Sequence, residues 1–116
     1  MEENELAKRM FSFSIGVIRM LRTLEGSNDL RIISNQLVRS ATSAGANYEE
    51  SQGAVSRPDF SSKIGIVLKE LRETNYWLRL LLELYPANED IIRLCDESNQ
   101  LKKIFGTIST KVNTRK

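Results

Sequence analysis

The spacing of the apolar residues constrains this chain more than any other feature of its sequence. They recur every three or four positions over four long segments, which is the period of one face of an α-helix. The third segment shows the pattern most clearly, with Ile64, Leu68, Leu71, Asn75, Leu78, Leu82 and Tyr85. No stretch alternates with the two-residue period of a strand. The sequence therefore predicts an all-α chain.

Three breaks separate the four segments. Stop signals and helix-start residues adjoin after Gly26, after Gly53 and in "YPANED" at residues 85–90. Ser56 with Asp59 three positions later forms an S-x-x-D capping box. The predicted helices cover residues 4–25, 29–52, 57–84 and 89–113. Because the breaks are short, neighbouring helices are expected to run antiparallel, in an up-down-up-down four-helix bundle.

The length of the chain and its early apolar stretch indicate how many domains it has and where in the cell it resides. At 116 residues the chain is expected to form one domain, residues 1–116. The apolar stretch at residues 10–18 is shorter than the roughly 20 residues that a transmembrane helix needs. The chain has a single cysteine, Cys95, which agrees with a reducing compartment. We expect a cytoplasmic protein with no membrane partner.

The stretch "SATSAGANYEESQGA", residues 40–54, consists largely of small side chains. A flexible linker, a nucleotide loop or a helix would each explain it. A phosphate-binding loop needs several glycines and usually a lysine, whereas the helical period continues through this stretch. We therefore interpret it as helix that allows close packing, and expect the same role for the glycines inside the segments, Gly16, Gly45, Gly65 and Gly106.

The second half of the third segment, "NYWLRLLLELY" at residues 75–85, is apolar on nearly every face. A helix in a single bundle buries one stripe of its surface. Soluble monomers rarely expose so large an apolar patch, so the surplus predicts a homo-oligomer. The candidate interface residues are Trp77, Leu80, Leu81 and Leu84.

The chain contains no histidine. This excludes the commonest general base, the catalytic triads that depend on it, and most zinc and iron sites. We therefore expect no enzymatic activity, no cofactor and no metal. A buried cysteine without an activating histidine is expected to act as a small apolar residue.

Polar residues of the second and third segments are expected to meet between the helices: Asn47, Glu50, Glu70 and Asn75. A structural hydrogen-bond network that sets the helix register is the preferred interpretation, and a functional polar site is the alternative. A di-metal carboxylate centre is disfavoured because bundles of that kind use Glu-x-x-His pairs.

The formal net charge is +2, but the charge is unevenly distributed. After Glu97 the chain carries five cations and no acid. The candidate phosphate contacts are Arg19, Arg22, Arg39, Lys102, Lys103, Lys111, Arg115 and Lys116. A solvated surface is the alternative for each of them, because such charges contribute only where they cluster on one face. Tyr76 and Trp77 are candidates for base stacking, although core or interface packing is preferred for both.

Two blocks carry a family resemblance, "LVRSATSAGANYEES" at 37–51 and "DFSSKIGIVLKELRETNYWLRLL" at 59–81. They resemble the 23S rRNA intervening-sequence protein family, also called the four-helix bundle proteins. The family's serine, then asparagine four residues on, then glutamate three further, matches Ser43, Asn47 and Glu50. Gly45 stands where many members have proline. The resemblance implies a four-helix bundle that assembles as a ring-like homopentamer.

The family is in turn similar to the accessory protein of diversity-generating retroelements, a basic pentamer that binds nucleic acid and a reverse transcriptase. This resemblance implies a non-enzymatic nucleic-acid-binding or ribonucleoprotein adaptor. The expected partners are other copies of the chain, RNA or DNA, and a nucleic-acid-processing protein. A scaffold that binds a protein partner and no nucleic acid is the alternative from a different class.

Overall fold

The computed structural model describes residues 4–114, which form four α-helices and no strand. The helices are α1 (Glu5–Arg22), α2 (Asn28–Ser51), α3 (Arg57–Leu84) and α4 (Glu89–Thr114). The all-α prediction is therefore confirmed, and each predicted helix bound lies within three residues of the observed one. Two of the predicted phosphate contacts, Arg115 and Lys116, lie outside the described residues.

Polar side chains cap the starts of the helices. The capping residues are Asn4, Ser27, Ser56 and Asn88. At α3 the Ser56 hydroxyl accepts from the Asp59 amide at 3.1 Å. In return, the Asp59 carboxylate accepts from the Val55 amide, also at 3.1 Å. The predicted capping box therefore forms with its return bond shifted by one residue. These bonds satisfy amides that have no partner within the helix, and so determine where it begins.

Each helix packs against two others, in the order α1, α2, α3, α4 and back to α1. Near the start of α1, the Asn4 amide donates to the Tyr48 hydroxyl near the end of α2, at 2.9 Å. Lys63 near the start of α3 pairs with Glu50 near the end of α2, at 2.9 Å. The first contact joins the start of α1 to the end of the following helix, and the second joins the first turns of α3 to the end of the preceding one.

The core lies between the four helices. Phe105 of α4 is fully buried, and the Tyr48 ring of α2 meets it edge to face, with centroids 5.1 Å apart. Leu78 and Leu81 of α3 both lie in this core and are 0% exposed. Leu81 was predicted as a candidate interface residue, but α3 turns its side chain inward, so it is not available at the surface of the subunit. Leu84, by contrast, is 58% exposed.

The small residues of α2 bring α1 close. Ala41 and Ala44 are buried, and the Ser14 hydroxyl of α1 donates to the Ala41 carbonyl at 3.2 Å. A Cβ atom added at Gly45 would lie 3.4 Å from the Ser14 Oγ. The interpretation of this stretch as a closely packed helix is therefore confirmed.

The glycines within the helices differ in how closely a neighbouring helix approaches them. A Cβ atom at Gly16 of α1 would lie 3.1 Å from the Leu94 Cδ2 of α4, which agrees with the predicted close packing. Cβ atoms at Gly65 and Gly106 would meet nothing within 4 Å. The close-packing prediction is wrong for these two positions, because both lie on the side of their helix that faces away from the core.

Candidate nucleic-acid interface

A groove of about 760 Å³ lies between α3 and α4 on the outside of the bundle. Its lining consists of Leu68, Arg72, Lys103, Gly106, Thr107, Ser109, Thr110 and Lys111. On α4 these residues recur every three or four positions, so they share one face of that helix. None of the described residues that line the groove is acidic. Three cations therefore converge on one surface without a carboxylate between them.

Two of the three cations in this groove, Arg72 and Lys103, are not neutralised by neighbouring acids. Neither Arg72 nor Lys103 forms an ion pair with any residue between 4 and 114. The hydroxyls of Thr107 and Thr110 donate to carbonyls of their own helix, at 3.1 and 3.0 Å. A hydroxyl has one proton to donate. The protons of these two hydroxyls are therefore already used within the helix.

A second cationic cluster lies farther along the same pair of helices, around Asn75. This side chain is 1% exposed, and its amide nitrogen donates to Ser98 Oγ at 2.9 Å and to Asn99 Oδ1 at 3.1 Å. Its oxygen accepts from Arg79 Nε at 3.1 Å and from Lys102 Nζ at 3.3 Å. Two cations thus converge on one neutral oxygen, which holds them in place without cancelling their charge.

The groove and the Asn75 cluster are adjacent, since Lys102 and Lys103 are consecutive and Arg72 precedes Asn75 by three residues. We call the combined surface the basic seam. Its cations are Arg72, Arg79, Lys102, Lys103 and Lys111. Apart from Lys111, none of them forms an ion pair within the part of the chain that the structure describes.

At two other helix contacts of the bundle, cations are paired with acids. Between α2 and α3, Arg39 contacts the Glu70 carboxylate at 3.3 Å and also pairs with Glu73. Between α1 and α4, Arg9 binds Glu97 at 2.7 Å. The structure therefore removes Arg39 from the candidate phosphate contacts, because its guanidinium is engaged by two carboxylates.

The predicted cluster of polar residues is divided between two helix pairs. The Glu70 carboxylate accepts from Ser43 Oγ at 3.1 Å, and Asn47 donates to that same Ser43 oxygen at 3.2 Å. Asn75 instead faces α4, and Glu50 is exposed. The prediction that all four meet is wrong, since Glu70 and Asn75 lie about 140° apart around the axis of α3. Each contributes to the contact with a different neighbour.

The seam combines predicted and unpredicted residues. It brings together the predicted contacts Lys102, Lys103 and Lys111. Arg19 and Arg22 are exposed near the end of α1. This helix packs against α2 and α4 and does not form part of the seam. The sequence analysis missed Arg72 and Arg79, which are separated by two helical turns on α3. Their spacing of seven residues was the signal that could have identified them.

Glu73, between α2 and α3, gives a prediction about pH. Its hydrogen bond with the Arg39 guanidinium, together with one from Trp77 Nε1 at 3.0 Å, lowers the pKa of the Glu73 carboxyl below its ordinary value of 4.5. Since a carboxyl with a lowered pKa stabilises the fold in its charged form, this stabilisation is present above about pH 4.5 and is lost as the pH falls further.

Replacing Arg39 with glutamine is therefore expected to raise the Glu73 pKa toward its ordinary value, as measured by an NMR titration of the carboxyl. The stability difference between wild type and this variant should shrink below about pH 4.5. Trp77→Phe removes only the indole bond and should shift the pKa less. An unchanged Glu73 pKa in Arg39→Gln would contradict this assignment.

Other kinds of site find little support in the described chain. Within residues 4–114 no group of three acidic or cysteine side chains is placed to hold a metal ion. Cys95 is buried, and burial raises the pKa of its thiol, which disfavours the reactive thiolate. No helix in the described range is long and apolar enough to cross a membrane.

The profile of the family described as 23S rRNA-intervening sequence protein matches residues 2–107. The chain belongs to this family. The matched range contains every cation of the basic seam except Lys111. It also contains both sequence blocks that carried the resemblance.

A solved structure extends this relationship. The crystal structure of a protein of unknown function from the S23 ribosomal protein family of Bacteroides thetaiotaomicron is 33% identical in sequence. The similarity covers 89% of this chain and 96% of that one, with a TM-score of 0.79. No curated protein matches the chain significantly. Membership in the 23S rRNA intervening-sequence protein family therefore establishes kinship and fold, and the function has to be argued from the seam.

Proposed function

We propose that the chain is a non-enzymatic, oligomeric adaptor that binds nucleic acid through the phosphates, along the basic seam. The observation that carries this proposal is the absence of carboxylate partners for Arg72, Arg79, Lys102 and Lys103 in the described chain. At other helix contacts, by comparison, Arg9, Arg39 and Lys63 are paired with acids. Unpaired cations on one face attract a polyanion, whereas paired ones contribute little.

The dimensions of the seam suit several phosphates in a row. Lys102 and Lys111 are nine residues apart on α4, which corresponds to about 13 Å along the helix axis. Arg72 and Arg79 are about 10 Å apart on α3 by the same measure. Each phosphate that a cation neutralises releases a counterion, so binding is expected to weaken steeply with salt.

The proposal includes an arrangement and an assembly. Contacts that bring the start of α1 and the start of α3 to the end of α2 support the antiparallel up-down-up-down bundle. The exposed Leu84, together with the partly exposed Trp77 and Leu80, supports an oligomer built through α3. We propose a homopentamer, the number that the family resemblance implies, because a ring would repeat the seam five times. We further propose that it acts in the cytoplasm beside a nucleic-acid-processing protein, as the similarity to the retroelement accessory protein suggests.

Solution mass and salt-dependent binding test this function together. Light scattering is expected to give five times the mass of one chain. Titration of the same sample with labelled RNA and DNA should show binding at low salt, and log K should fall with log salt with a slope of about −0.7 to −0.9 per phosphate contact. If neither RNA nor DNA binds at low salt, the adaptor proposal is wrong, and a scaffold for a protein partner would take its place.

A further inference from the structure

An aromatic ring lies between two cations on the exposed side of α3. Arg72, Tyr76 and Arg79 are spaced four and three residues apart, so they form one stripe along the helix. Tyr76 is 47% exposed, although its ring is large and largely apolar. The core of the bundle therefore does not account for this residue, and its ring is accessible beside the basic seam.

The neighbours of this ring hold it and one cation in fixed positions. The Arg79 guanidinium carbon lies 5.8 Å from the centre of the Tyr76 ring, while Arg79 Nε is bonded to the buried Asn75. The Trp77 ring meets Tyr76 edge to face, with centroids 5.0 Å apart. The Tyr76 ring, in contact with the Trp77 ring and with a positioned guanidinium over one of its faces, is therefore arranged before any ligand arrives.

We infer that the basic seam is selective for single-stranded nucleic acid, with a base stacked at Tyr76 and the adjoining phosphates held by Arg72 and Arg79. This inference rests on the proposed function. The bases of a duplex are stacked on one another, so their faces are closed to a protein side chain, whereas an unpaired strand offers them. Stacking on an aromatic ring tolerates any base, because every base has a π-face.

The only tryptophan of the chain, Trp77, supplies a reporter for this contact. We would follow its fluorescence at low salt while adding oligothymidylate, and separately the duplex of that strand with oligoadenylate. The single strand is expected to quench Trp77 and to bind about tenfold more tightly than the duplex, as the loss of one stacked base would predict.

Two substitutions make the test specific. Tyr76→Ala is expected to weaken binding of the single strand about tenfold and to leave duplex binding unchanged, since the phosphate contacts remain. Tyr76→Phe keeps the ring and should bind as the wild type does. The solution mass of each variant is measured on the same samples.

The outcomes separate this inference from the function on which it rests. The inference would be overturned if the single strand and the duplex bound with equal affinity and Tyr76→Ala changed neither affinity. The adaptor proposal would then still stand. A lower oligomer mass in Tyr76→Ala would place the ring in a subunit contact and would also overturn it. If neither nucleic acid binds, both the function and the inference fail.

Discussion

Replacing Leu81 with alanine is expected to lower the free energy of unfolding by about 2–5 kcal/mol. Leu81 is 0% exposed and lies in the core with Leu78 and Phe105. The substitution removes buried methyl groups and leaves a cavity that the closely packed helices can fill only in part. Urea unfolding followed by circular dichroism measures the difference.

Leu84 supplies the matched control, because it is the same residue type three positions later on the same helix. It is 58% exposed, so Leu84→Ala should change the stability of the single subunit by no more than about 0.5 kcal/mol. If α3 supplies an oligomer contact, the effect of Leu84→Ala should depend on protein concentration and that of Leu81→Ala should not. Equal, concentration-independent losses at both positions would contradict the observed orientation of α3.

Removing three charges of the basic seam is expected to lower nucleic-acid affinity at low salt by about a hundredfold or more. The variant carries glutamine in place of Arg72, Lys103 and Lys111, all of which are exposed, so the fold should be unaffected. Each lost phosphate contact should also reduce the magnitude of the slope of log K against log salt by about 0.7–0.9. Titrations at several salt concentrations give both quantities.

The control for this variant removes the same formal charge elsewhere. Glutamine in place of Arg19, Arg22 and Arg31 changes exposed residues of α1 and α2 that lie outside the seam. This variant should keep most of the affinity and nearly the whole salt slope. If the two variants lose affinity equally, net charge governs binding, and the seam is not the site.

The helices and their ends could be predicted from the sequence because both depend on local interactions. Apolar residues at three- and four-residue spacing give each helix one face to bury, and Ser27 and Ser56 satisfy amides only three residues away. Such relations span a few positions of the chain. The close packing of α2 could also be predicted, because the size of its small residues decides how near another helix can come.

The candidate site was only partly predictable, as Arg39 and Asn75 show. Arg39 has the same charge as Arg72, and nothing near it in the sequence reveals that Glu70 and Glu73 will engage it. Asn75 was expected between α2 and α3, yet it organises two cations between α3 and α4. The partners of both residues depend on which helix, α2 or α4, packs against a given side of α3.

The sequence by itself determined that the chain is helical, where its four helices begin and end to within three residues, and that it contains no histidine. Only the tertiary structure decided which charges remain unpaired, that Leu81 lies inside while Leu84 lies outside, and that Tyr76 stands beside Arg79. The physical reason is that the second half of α3 is apolar on nearly every face, so its periodicity allows several orientations. Packing against α2 and α4 selects one of them, and that orientation places the basic seam.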